Sequence, residues 1–104
     1  MQIEDVTVEK HEDFGGGYRL LVFNAPGIAS ETVPGQFVHV RVPGLYESDL
    51  RRPFSIYHAG NDQVRVLYKA VGKGTNTMLK VAVGDTLSVI GPLGRGFPSD
   101  HGDT

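Results

Sequence analysis

Apolar and polar residues alternate in several short runs along the chain, and each run predicts a β-strand. Val6 and Val8 stand two apart with Thr7 and Glu9 as polar neighbours, which predicts a first strand within residues 1–10. Residues 18–23 predict a second, joined to the first through the turn Asp13-Phe14-Gly15-Gly16-Gly17. Residues 36–42 show the cleanest alternation: Val38, Val40 and Val42 share one face, while Phe37, His39 and Arg41 share the other. Residues 54–58, 63–69 and 85–90 predict three further strands, with a turn at Gly60-Asn61-Asp62. Asn24-Ala25-Pro26-Gly27 ends the second strand, and residues 28–35 read as a loop with a Pro34-Gly35 turn. One helix is expected over residues 75–81, with Met78, Leu79 and Ala82 as its apolar side. It is short enough to need packing for stability. Six short strands and one short helix imply an all-β fold, a small antiparallel barrel.

Length and composition narrow this picture. The 104 residues make one domain, long enough to bury a core without staples. Fourteen glycines and six prolines favour many turns between short strands. A formal net charge of −2 gives no electrostatic case for nucleic acid or an anionic membrane as partner. The chain has no cysteine, which excludes disulfides, thiolate zinc sites and cysteine-held iron–sulfur clusters within it. No apolar run approaches the ~20 residues that cross a bilayer, and the acidic start lacks the marks of a signal peptide. A cytoplasmic location is the expectation.

Two stretches carry candidate chemistry. In Leu50-Arg51-Arg52-Pro53-Phe54-Ser55-Ile56-Tyr57, Pro53 fixes its own φ and pushes Arg52 toward an extended conformation. A cation, an apolar ring and a small hydroxyl then follow in one extended line. Arginine forks onto phosphate, phenylalanine lies against planar rings, and serine hydrogen-bonds a ring nitrogen or carbonyl. The set suits a planar heterocycle joined to a phosphate. Each residue also has an ordinary use: Arg52 as a solvated edge charge, Phe54 as core, Ser55 in a turn. The second stretch, Gly72-Lys73-Gly74-Thr75, follows a strand and opens the expected helix. Its glycines permit close approach of an anion to the free N–H groups of a first helical turn. It lacks the spacing of a Walker A loop and the βαβ context of a dinucleotide fingerprint. A glycine-rich turn capped by Thr75 is its plain structural reading. Gly91-Pro92-Leu93-Gly94 reads as a rigid turn after the last strand. The four histidines show no metal-ligand spacing, and no hydrolytic set of side chains is present.

Taken in order, Gly35-Gln36-Phe37-Val38, Arg52-Pro53-Phe54-Ser55, Gly72-Lys73-Gly74-Thr75 and Gly91-Pro92-Leu93-Gly94 resemble the flavin-binding domain of the ferredoxin–NADP⁺ reductase superfamily. Within it, Arg-Arg-Pro-Phe-Ser-Ile with Val-Gly-Lys-Gly-Thr is most similar to the electron-transfer subunits of dihydroorotate dehydrogenase, in pyrimidine biosynthesis. The resemblance covers about residues 1–97. It implies a six-stranded antiparallel Greek-key barrel binding FAD. It also implies residue roles: Arg52 at the pyrophosphate; Phe54 along the isoalloxazine, replacing a common tyrosine; and Ser55 at the N5 and O4 edge, with Pro53 also among the cofactor-binding residues. Leu67, Tyr68 and Lys69 would line the ribityl and ring region, and Gly72, Gly74 and Thr75 the phosphates. The implied chemistry passes electrons from NAD(P)H through FAD to a [2Fe–2S] cluster, with a catalytic dehydrogenase subunit as partner in a hetero-oligomer. No side chain of this chain is expected to be catalytic. NAD(P)H and the cluster are expected to bind elsewhere, since family members continue into a nicotinamide-binding domain. On this basis residues 1–98 form the barrel and residues 99–104 begin a linker. The alternatives are a docking barrel that holds no flavin, or a barrel holding FMN.

Overall fold

The structure is a computed structural model that describes residues 1–41, 51–69 and 78–95. Six antiparallel strands form a closed barrel: β1 (Gln2–Gly15), β2 (Tyr18–Asn24), β3 (Phe37–Arg41), β4 (Arg51–Gly60), β5 (Gln63–Lys69) and β6 (Thr86–Leu93). Their order around the barrel is β1-β2-β5-β4-β3-β6. The β2–β5 and β3–β6 neighbours are not consecutive in sequence, which gives the expected Greek-key arrangement. The alternation read from the sequence is the alternation of the barrel wall. Val6, Val8, Leu21, Phe23, Val38, Val40, Val64, Val66, Leu87 and Val89 face inward and are buried.

Turn chemistry fixes the hairpins. Gly15, Gly16 and Gly17 all have positive φ (92°, 64° and 84°), a conformation that costs glycine nothing and other residues much. Asn61 and Asp62, between β4 and β5, take φ of 53° and 66°, the two-residue turn whose twist matches that of the strands it joins. Three strands outrun their sequence signals: β4, expected over residues 54–58, runs from Arg51 to Gly60, and β1 and β6 extend as well. β1 continues through His11-Glu12-Asp13-Phe14, because pairing with β2 stabilises a stretch without clean alternation. β6 runs through Gly91-Pro92 to Leu93, so this motif is strand rather than a turn after it. Gly91 permits that path: a Cβ there would lie 2.7 Å from Val38 Cγ1.

The segment read as a loop contains a helix, α1 (Pro26–Glu31), which packs across β1, β4, β5 and β6 and buries Ile28. Its own sequence supplies no side-chain cap. The cap comes from β1: the Glu4 carboxylate accepts from Gly27 N–H at 3.2 Å and Ile28 N–H at 3.0 Å. Replacing Glu4 with alanine is therefore expected to destabilise the protein by about 1–2 kcal/mol, within the range of lost helix caps. Chemical denaturation measures the loss, and amide exchange should localise it to α1. Of the helix expected over 75–81, only its last turn falls within the described residues. There Met78 and Val81 are buried while Leu79 and Ala82 are exposed, so the apolar side is Met78 with Val81. Ala82 to Asp85 then form a turn, with Gly84 at φ 95°.

Candidate functional site

The seam between β4 and β5 opens part-way along its length. β4 and β5 pair from Gly60↔Gln63 only as far as Ile56↔Val66, after a bulge between Ile56 and His58. Beyond that point β4 stays paired with β3 alone, through Ser55, Phe54, Pro53, Arg52 and Arg51. β5 stays paired with β2 alone, through Leu67, Tyr68 and Lys69. Residues 52–55 and 67–69 thus present two strand edges with no ladder between them, the rims of a candidate cleft. Pro53 fits this edge, because it has no N–H to donate to a second neighbour. The Ile56 N–H donates to Gln36 C=O on the β3 side. Strand alternation therefore turns the backbone groups of Pro53 and Ser55 toward the cleft.

Side chains divide between wall and rim. Phe54 and Tyr68 point inward, only 4% and 5% exposed, and their rings meet edge to face at 5.4 Å. They close the cleft from within. The Phe54 face that the resemblance assigns to a flavin is here part of the core. Pro53 and Ser55 point outward and are exposed, and Leu67 is partly exposed. Lys69 lies over the Tyr18 ring at 5.7 Å. The two adjacent arginines have different tasks. Arg51 spans β3 to donate to Ser88 C=O at 3.0 Å and Ser88 Oγ at 2.9 Å. Arg52, on the inner-facing side opposite Val40, meets no hydrogen-bond or ion-pair partner among the described residues. Gly72, Gly74 and Thr75 lie outside the described residues.

The cleft end also holds a polar group that the sequence did not single out. His11 Nδ1 lies 2.7 Å from Val81 C=O, and its Nε2 lies 2.7 Å from the Tyr68 hydroxyl. Burial holds the imidazole pKa below its ordinary value, partly opposed by the Val81 hydrogen bond and aided by the Arg19 charge. Burial raises the Tyr68 phenol, opposed by the charge and hydrogen bond of Arg19. Arg19 Nε is itself buried without a partner among the described residues. Two features hid this cluster: His11 lies beyond the clean alternation of β1, and only barrel closure brings it to Tyr68.

The family model for an oxidoreductase FAD-binding domain matches residues 5–97. The chain belongs to that family. As an FAD-binding domain it is 46% identical over 77 residues to the dihydroorotate dehydrogenase B (NAD⁺) electron transfer subunit of Desulforamulus reducens, covering 72% of this chain and 29% of the relative. To the subunit of the same name from Bacillus mycoides (strain KBAB4) it is 34% identical over 106 residues, covering 100% of this chain and 41% of the relative. The FAD-binding domain thus spans less than half the length of these curated relatives. A solved structure described as an NADH-dependent reduced ferredoxin–NADP oxidoreductase aligns with a TM-score of 0.77 at 29% identity, covering 88% of this chain and 33% of that one. The ferredoxin-reductase-like barrel expected from the motifs is the observed fold. Among the described residues, no helix is long and apolar enough to cross a membrane.

The residues present suit the cofactor of this family. The cleft offers unpaired strand edges for the polar rim of a heterocycle, and Arg52 for a phosphate. The buried Arg19 Nε adds an unsatisfied donor at the same barrel end.

Proposed function

We propose that this FAD-binding domain is the flavin module of an electron-transfer oxidoreductase, the electron-transfer subunit of an NAD-linked dihydroorotate dehydrogenase. The observation that carries this reading is the opening of the barrel beyond Ile56↔Val66, which leaves residues 52–55 and 67–69 as facing, unpaired rims. The names of the sequence relatives supply the enzyme. FAD held here would supply the redox chemistry, the exchange of a hydride from NAD(P)H for single electrons passed to an iron–sulfur cluster. The chain's own residues bind and orient. Arg52 neutralises pyrophosphate charge, and the glycines Gly72 and Gly74, with Thr75, take the remaining phosphate oxygens. Pro53 and Ser55 line one rim, with Ser55 presenting its hydroxyl and backbone N–H to the polar edge of the flavin ring. Leu67 and Lys69 line the other rim, and the Phe54 and Tyr68 rings form the floor.

The [2Fe–2S] cluster must be held outside the barrel, because the chain has no cysteine to ligate it. In this reading the nicotinamide site also lies outside residues 1–98, the partner is a catalytic dehydrogenase subunit, and the complex works in the cytoplasm. Titration of the purified chain with FAD tests the central claim. Saturable binding with the visible absorbance of a protein-bound flavin is expected, and Ser55→Ala should shift the flavin's reduction potential while leaving its affinity nearly unchanged. A chain that stays colourless at saturating FAD would instead favour a docking barrel without cofactor, and preferential binding of FMN would replace the adenine dinucleotide.

A further inference from the structure

We propose that His11 is a positioning residue for the flavin cleft: it ties the β5 rim, through Tyr68, to Val81, and so makes flavin affinity depend on pH. The inference rests on the flavin reading above, and adds a residue outside the motifs on which that reading stands.

The hydrogen bonds define one protonation state. A carbonyl only accepts, so His11 Nδ1 carries the proton and donates to Val81 C=O at 2.7 Å. In the neutral ring Nε2 then accepts, and the Tyr68 hydroxyl donates to it at 2.7 Å. The rings of His11 and Tyr68 stack with centroids 5.9 Å apart, so contact area adds to the polar link. Tyr68 lies in the part of β5 that has lost its β4 neighbour, where only β2 holds the backbone. The link through His11 gives this rim a second support, from β1. It also fixes Val81 against β1.

The surroundings favour the neutral ring. Arg19 from β2 places its charge near both His11 and Tyr68, and burial opposes a second cation there. Lys10 and Glu12, on either side in β1, are exposed and belong to the opposite face of the strand. Asp13 stands opposite Arg19 in register, but is exposed and accepts from Gly15 N–H. On β5, Lys69 is exposed and turned to the outer surface. Protonating Nε2 removes the acceptor for the Tyr68 hydroxyl and sets imidazolium against guanidinium. A folded-state pKa below the unfolded value means that the support is complete above about pH 6.5, and is lost as pH falls through the lowered folded pKa.

Two measurements on the 104-residue chain test this. The first is ¹⁵N-resolved NMR of the His11 ring without flavin, which needs no variant. A neutral Nδ1–H tautomer titrating below the ordinary imidazole value is expected; an Nε2–H tautomer or an ordinary titration overturns the proposal. The second is the Kd for FAD between pH 7.5 and 5.5 for wild type, His11→Phe, His11→Gln and Tyr68→Phe. Wild type should weaken as pH falls through the lowered His11 pKa, by about fivefold once the link is fully lost, the loss of roughly one hydrogen bond. His11→Phe and Tyr68→Phe should already be weakened at pH 7.5 and should not add when combined. His11→Gln, whose amide donates and accepts but does not titrate, should restore affinity and flatten the pH profile. FAD affinity unchanged in His11→Phe, or a pH profile unchanged in His11→Gln, defeats the role of His11 while leaving the flavin reading intact. Failure of the wild-type chain to bind FAD at any pH defeats both.

Discussion

Arg52→Ala is expected to weaken FAD binding by about 1.5–3 kcal/mol, one to two orders of magnitude in Kd. The neighbouring Arg51→Ala should change it little. The two arginines are adjacent in sequence and equal in charge, so only their structural surroundings separate them. Arg51 is committed to Ser88 through two hydrogen bonds, and its removal should lower stability by roughly 1 kcal/mol instead. Arg52 has no such commitment among the described residues. A guanidinium that breaks no hydrogen bond to the described residues on turning to a phosphate gives up only water and rotamer freedom, and a charge-assisted fork is stronger than a neutral contact. Arg52→Lys should recover only part of the affinity, because an ammonium lacks the planar fork. The salt dependence of Kd should flatten in Arg52→Ala, since part of the attraction it removes is screened in wild type. Calorimetric titration of the three variants decides the matter. Equal affinities in wild type and Arg52→Ala would take Arg52 out of the site.

Phe54→Ala should cost the fold more than any rim substitution, about 3–5 kcal/mol by the cost of emptying a buried aromatic position. The ring is 4% exposed, lies within the barrel core and meets Tyr68 edge to face. A domain of this size has only about 5–15 kcal/mol of stability in total, so the variant should populate unfolded chain readily. Phe54 also lies where the β4–β5 ladder has stopped. There the Phe54–Tyr68 contact substitutes for the missing ladder. Phe54→Leu keeps most of the apolar volume and should cost less than about 1.5 kcal/mol. It would forgo the aromatic edge contact, itself worth about 0.5–1.5 kcal/mol. Urea unfolding midpoints measure the series. A loss below about 1 kcal/mol in Phe54→Ala would show that the ring does not fill the core, against the range for such truncations.

The strands were legible because alternation is local: each inward valine of β3 or β5 is set by its own neighbours in the chain. The hairpin turns were legible for the same reason, since Gly15-Gly16-Gly17 and Asn61-Asp62 tolerate positive φ by themselves. The motif residues 52–55 and 67–69 could also be read, but not their relation to one another. That relation depends on where the β4–β5 ladder stops, and a register is a property of two strands, not of either one. The helix α1 was missed because its cap, Glu4, is contributed by β1 from more than twenty residues away, and no local pattern records a distant carboxylate. Likewise, the sequence shows His11 as one of four scattered histidines; it becomes a link between Tyr68 and Val81 only when the barrel closes. Local periodicity therefore determined the strands, and the motif residues pointed to the candidate chemistry. Tertiary closure decided which polar groups were paired, which were left open, and so where a ligand can be held.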